Sequence, residues 1–327
     1  MSFIFRPTFL VVGAFSLFVS VGAEGGRPFT ETEPEPGRLT LLRPATDNPT
    51  DQLAHADALR EAGRRRRAQR QYRALVRYWP SSPEAAIGQF RFAEMLDERG
   101  KEQRAFDAYE RLLQEYPGVY PHDEVLARKF ELAERVRARR RAQFLIFPGF
   151  QAPERALPML ESLLKQGPQW EYAPAAQLMM ATIQEELDRL DDALLSYERV
   201  EVRYPRSPEA KTAALGRVRV MHALALDYPR HLDGVEHALQ IAALFQQRHP
   251  DSPHMDEVSD WMDDLQDILA EAAFKKARYY DRIARHRTAA LIAYERFLER
   301  YPETEWSDEA RERLHELQEL AKVDHES

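Results

Sequence analysis

Cysteine does not occur anywhere in the 327 residues. Its absence excludes disulfides, thiolate metal sites, cysteine nucleophiles and, within this sequence, any cysteine-linked lipid. Glycine is scarce at 13 residues, with no glycine-rich phosphate loop and no serine nucleophile elbow among them. The ten histidines are scattered without an HExxH pair, so neither a metal centre nor another cofactor is expected. A positive excess is missing as well. The formal net charge of −8 leaves no general basic footprint for nucleic acid. With catalytic constellations absent, an enzyme is not expected.

Long apolar runs are confined to the start of the chain. Arg6, an apolar stretch over 9–21 and the small-residue triplet Val21-Gly22-Ala23 read as a secretory signal peptide over residues 1–23. The apolar stretch, as a helix, covers about 20 Å, short of the roughly 30 Å of a bilayer core. The mature chain is therefore expected to be exported and soluble. Residues 24–50 hold five prolines and a Gly25-Gly26 pair, the composition of a disordered linker.

What is abundant is repetition. Six times an alanine is followed four residues later by an apolar residue and eight residues after that by proline. The copies are Ala68/Tyr72/Pro80, Ala105/Tyr109/Pro117, Ala156/Leu160/Pro168, Ala193/Tyr197/Pro205, Ala238/Ala242/Pro250 and Ala290/Tyr294/Pro302. Five residues before each proline stands another apolar side chain: Leu75, Leu112, Leu163, Val200, Phe245 and Phe297. Spacings of four and three put each set on one stripe of a helix that stops at proline. A helix with one such stripe cannot bury it alone, so six in series predict stacked helical repeats. The prolines recur after 37, 51, 37, 45 and 52 residues, near the tetratricopeptide period of about 34 where short. The longer intervals predict lengthened first helices or inserted loops, the clearest insertion being 143–150. Hydroxyl residues two after the proline (Ser82, Ser207, Ser252, Thr304) are expected to cap the next helix. The fold class that follows is all-α: a tetratricopeptide-like solenoid over 51–323, about six helix pairs with a polar C-terminal capping helix.

Particular stretches carry a closer likeness. Gly100 to Gly118, Arg189 to Ala210 and Leu244 to Leu317 resemble the BamD family of outer-membrane protein assembly factors. The phrases involved are "ALFQQRHPDS", the recurring "YERxxxRYPxSPEA", and the run from Tyr279-Tyr280 through an Ala-rich helix to Arg300-Tyr301-Pro302. The resemblance implies a non-enzymatic scaffold in the periplasm, at the inner face of the outer membrane. Its implied partners are the POTRA domains of the β-barrel insertase and unfolded outer-membrane proteins. Members of that family are usually anchored through an acylated cysteine, which this sequence does not offer. Peripheral membrane association without a lipid anchor is then the expectation. The alternative is a periplasmic tetratricopeptide interaction protein of the cell-division or Tol-linked type, against which 24–50 show no coiled-coil heptads.

Three groups of residues are candidate partner sites. Arg66, Arg70, Arg73 and Arg77 form a stripe roughly opposite the apolar stripe of their helix, either a solvated face or a surface for an anionic partner or lipid headgroup. Phe144, Ile146, Phe147 and Phe150 belong to an apolar insertion that either plugs the third repeat or binds a partner. Tyr279 and Tyr280 end a long first helix where, by resemblance, the insertase docks; at least one of the pair should pack in the core.

Overall fold

The structure is a computed structural model and describes residues 42–138, 140–141 and 150–326. The signal peptide and all but the end of the linker expected from the sequence lie outside these residues, as do Phe144, Ile146 and Phe147. The described chain is helical except for two-residue strands, β1 (Arg140–Arg141) and β2 (Phe150–Gln151), which pair antiparallel with Arg141 opposite Phe150.

Thirteen α-helices follow one another among the described residues, as six pairs and a cap. The pairs are α1 (Pro49–Glu61) with α2 (Arg65–Tyr78), α3 (Pro83–Asp97) with α4 (Glu102–Glu115), and α5 (His122–Ala138) with α6 (Leu157–Gln166). Next come α7 (Ala173–Glu186) with α8 (Leu190–Arg203), α9 (Pro208–Asp227) with α10 (Leu232–Arg248), and α11 (Met255–Arg278) with α12 (Arg287–Arg300). Helix α13 (Ser307–Glu326) closes the stack. Each helix packs on its successor, and first helices also pack on neighbouring first helices, as α1 on α3, α7 on α9 and α9 on α11.

Each repeat proline stands two residues beyond a second helix, and the backbone shows why it recurs there. The amide just before it closes the last helical turn on the apolar residue five before the proline: Trp79 on Leu75, Tyr116 on Leu112, Tyr204 on Val200, Tyr301 on Phe297, at 2.8–3.0 Å. The next residue has no donor to offer, so the helix stops. Every alanine and apolar residue of the six-fold stripe is buried, at 3% exposure or less. The alanines let paired helices approach closely, and the tyrosines and phenylalanines fill the space between pairs. The same logic selects Gly216 in α9: a Cβ there would sit 2.5 Å from the Tyr197 ring. The long proline intervals have the two origins expected of them. Helices α9 and α11 are lengthened to 20 and 24 residues, and the insertion falls between α5 and α6.

The capping expectation holds at one site in four. Ser82 Oγ accepts from the Ala85 amide at 3.1 Å. Ser207 stands at the cap of α9, yet its buried Oγ has no partner among the described residues. Helices α11 and α13 begin five residues after their prolines instead of three. The longer turns leave Ser252 a single 3.4 Å contact with the His254 amide; at α13 the bond runs the other way, the Thr304 amide donating to Ser307 Oγ at 2.9 Å, so Thr304 is held by the helix and does not cap it.

Candidate functional site

The first helices are tied together by a series of ion pairs. Arg60 of α1 reaches Glu94 of α3 and Glu98 just beyond its end at 3.0 and 2.9 Å, and Arg135 of α5 pairs with Asp97 of α3. Arg137 of α5 meets Glu186 of α7 at 2.6 Å, and Arg219 of α9 holds Glu185 of α7 through two bonds of 2.6 and 2.8 Å. Within pairs, Tyr72 donates to Asp57 and Tyr197 to Glu185. Burial, then the adjacent carboxylate, pushes both phenols well above their ordinary range. Glu185 is held below the usual carboxylate range: burial opposes this, and the Arg219 guanidinium and Tyr197 hydroxyl outweigh it. These charges have their partners inside the fold, so they set the spacing of the repeats and are not free to recognise a ligand.

Among the described residues, two open clefts between helices combine an apolar floor with a charged rim. The first, of about 640 Å³, is floored by Phe130, Tyr172, Leu178 and Met179 and rimmed by Glu131, Glu134 and Glu209. Trp170 meets Phe130 edge-on at 5.9 Å and stiffens the floor. The second, of about 580 Å³, lies between α10, α11 and α12. Leu269, Ala273, Ala293 and Phe297 line its floor, with Leu232, Ile292 and Tyr280 at its sides. Three cations, Lys276, Arg296 and Arg300, stand at the rim, and Arg300 also reaches Glu236 of α10 at 3.3 Å. Ile292 remains 44% exposed and Leu232 38% exposed. An apolar floor with a charged rim is how protein-recognition surfaces are built.

The sequence candidates fall differently across this surface. Tyr280 is half-buried, packs against the Phe274/Tyr294/Phe297 cluster and lines the second cleft. Tyr279 is 54% exposed and contacts Tyr280 edge-on at 5.9 Å, at the start of a π-helical turn over Tyr279–Ile283. Arg66, Arg70, Arg73 and Arg77 are all exposed on α2, with the Arg73 guanidinium over the Phe92 ring at 6.0 Å. They lie on the first repeat, whereas the second cleft belongs to the last two. Of the apolar insertion only the Phe150 backbone, in β2, is described. The rim residues Lys276, Arg296 and Arg300 and the wall residue Ile292 were not singled out from the sequence. A signal for them existed: Ile292, Arg296 and Arg300 recur every four residues on α12, off the Ala290/Tyr294/Phe297 stripe.

Residues 151–320 match the model of the family YfiO, described as outer membrane lipoprotein. Residues 53–120 match a tetratricopeptide-repeat model. No curated protein sequence matches the chain. Similar solved structures include a tetratricopeptide repeat protein from Parabacteroides merdae, 13% identical, with 83% of this chain and 98% of that one covered at a TM-score of 0.30. YrrB, a tetratricopeptide protein with an unusual peptide-binding site, is 15% identical over 65% of this chain and 92% of its own, at a TM-score of 0.32. Pseudomonas aeruginosa pilF is 13% identical over 81% and 97%, at a TM-score of 0.27. No helix among the described residues is long and apolar enough to cross a membrane.

Proposed function

The chain belongs to the YfiO family of outer membrane lipoproteins, the BamD family, and from that premise we propose that it is a periplasmic scaffold in the assembly and insertion of β-barrel proteins at the outer membrane. The observation that carries the proposal is the cleft between α10, α11 and α12. It lies within the family-matched residues, combines an apolar floor with Lys276, Arg296 and Arg300, and includes Tyr280. A POTRA domain of the β-barrel insertase is the partner assigned to it, docking an apolar edge into the cleft and carboxylates onto the cationic rim. The first cleft, aromatic-floored and bounded by Glu131, Glu134 and Glu209, is assigned to apolar and aromatic segments of unfolded outer-membrane proteins.

No bond is made or broken in this function. Ion pairs between first helices hold the repeats around the first cleft in register, and Arg300 with Glu236 ties α12 to α10 at the second, so both clefts are preformed and association costs little rearrangement. The apolar floor supplies the driving force on losing water, while the rim charges favour oppositely charged partners and speed encounter.

The test is a photo-crosslinking amino acid at Ile292, expressed in the native host, with the adducts identified by mass spectrometry. The expected adduct is the POTRA-bearing insertase. Adducts restricted to cell-division or Tol-linked proteins would overturn the assignment and make the chain a scaffold of that kind instead.

A further inference from the structure

The connection between α11 and α12 concentrates positive charge in an otherwise acidic chain. Residues 275–287 hold Lys275, Lys276, Arg278, Arg282, Arg285 and Arg287 against one acid, Asp281, while the whole chain carries −8. Asp281 is turned inward: its carboxylate is 4% exposed and held by two bonds from Arg313 of α13, at 2.8 and 2.9 Å. Of the other nearby acids, Glu271 pairs with Lys275 and Glu316 with Arg313. Arg278, Arg282 and Arg285 are exposed to solvent.

Large apolar side chains stand among these cations. Ile283 is 70% exposed and Tyr279 54%. The neighbouring turn, between α9 and α10, exposes Tyr228 at 65% and carries Arg230, with Asp227 and Asp233 flanking it; Leu226, in the last turn of α9, is 49% exposed. The two turns are adjacent, since Leu232 and Tyr280 line one cleft. Exposed aromatic and aliphatic side chains interleaved with arginines match the interface of an anionic bilayer, where ring and chain enter the headgroup layer and guanidinium groups meet phosphates.

The backbone adds a separate indication. The turns inside the first and second repeats pass through the left-handed region at Gly63 and Gly100, with φ of 71° and 61°. Inside the fourth and sixth repeats the left-handed residue is not glycine: it is Asp188, φ 58°, a residue type that tolerates this region, and Arg285, φ 51°, which is not of that type. Glycine adopts this conformation without strain and arginine does not. Folding alone therefore favours glycine at Arg285, and the arginine there points to a requirement outside the fold.

We propose that the α11–α12 turn, together with the adjacent α9–α10 turn, is a membrane-contact tip that binds the surface of an anionic phospholipid bilayer. Tyr228, Tyr279 and Ile283 enter the interface, and Arg278, Arg282 and Arg285 engage lipid phosphates. This contact does not depend on the insertase assignment, and its test needs no insertase.

The experiment is co-flotation of the purified full chain with vesicles of phosphatidylethanolamine and phosphatidylglycerol, against vesicles of phosphatidylcholine alone. Residues 9–21 are present in every variant, so the comparison is made between variants of the same chain. Each arginine near an anionic surface contributes about fivefold in partitioning. The combined Arg278→Gln, Arg282→Gln and Arg285→Gln variant, which removes three charges and adds none, is therefore expected to lose about a hundredfold on anionic vesicles, with a melting temperature close to the parent's. Arg285→Gly separates lipid binding from folding: it is expected to melt no lower than the parent and to bind about fivefold less. Parent binding should fall as salt is raised. Equal binding of the parent and the triple variant would overturn the proposal. So would equal parent binding to both vesicle types, or retention of the chain by nucleic acid or an acidic protein without vesicle binding.

Discussion

Lys129 is the deepest charged side chain in the repeat stack, and replacing it with methionine tests the account of the core. Its side chain is 0% exposed. The ammonium donates to Gln166 Oε1 at 2.6 Å, lies 3.6 Å from Glu110 Oε2 and sits 4.4 Å from the centre of the Phe106 ring. Burial pulls its pKa down to about 8 from the ordinary 10.5, although Glu110 favours the charged form. Because the folded-state value is depressed, the unfolded chain binds the extra proton between those two values, and stability rises with pH there. From pH 7 to pH 9.5 that linkage gives about 2 kcal/mol. Stopping at 9.5 stays below the ordinary tyrosine range, above which the raised phenols of Tyr72, Tyr109 and Tyr197 work in the opposite direction. Lys129→Met keeps the volume and removes the desolvated charge. Glu110 keeps a bond from Ser162 at 3.0 Å and is itself 28% exposed, so no deeply buried charge is stranded. The variant is expected to be more stable than the parent by about 1–3 kcal/mol at pH 7, with the gap closing by pH 9.5. Urea unfolding of both proteins at the two pH values reads this directly. A parent whose stability does not rise with pH relative to the variant would refute the desolvation argument.

Further substitutions examine other contacts. Gly216→Ala pushes a methyl group into the Tyr197 ring and should cost about 1–3 kcal/mol despite alanine's better helix propensity, as measured by denaturant midpoint. Tyr197→Phe should cost about 1–2 kcal/mol, because the Glu185 carboxylate loses the hydroxyl's bond and keeps only the two from Arg219. Tyr109→Phe should be neutral or stabilising, because the Tyr109 hydroxyl is buried without a partner among the described residues. Asp281 is held below its ordinary value first by the Arg313 hydrogen bonds. Its contribution is fully present above the ordinary carboxylate value and lost as pH falls through the depressed one. Arg313→Ala should therefore lower the melting temperature at pH 7 and leave a shallower loss on acidification.

The helices and their buried stripe were legible because they are local. Ala68, Tyr72 and Leu75 are brought to one face by helix geometry alone, and Pro80 ends the helix wherever it occurs. The same reasoning separated α12 into its core stripe but gave no special weight to Ile292, Arg296 and Arg300. Their meaning depends on α10 and α11 standing opposite. Capping was read less well. Ser252 and Thr304 have the same spacing from proline as Ser82, but the length of each turn is decided by how the next repeat seats. Tyr279 and Tyr280 are adjacent in sequence and chemically identical, yet one lines a cleft and the other faces solvent. The π-helical turn that holds both and points them apart has no signal in the residue pattern.

Repeat number, helix phase and helix ends follow from spacing along the chain, because a helix positions residues three and four apart by bond geometry alone. Which carboxylates are neutralised, which apolar residues stay open, and where cations collect at the surface are set by contacts across 34 to 64 residues, such as Arg60 with Glu94 and Arg300 with Glu236. Charge and exposure are properties of neighbours in space. Only the stacking of one repeat on the next decided them, and with them the clefts and the cationic tip.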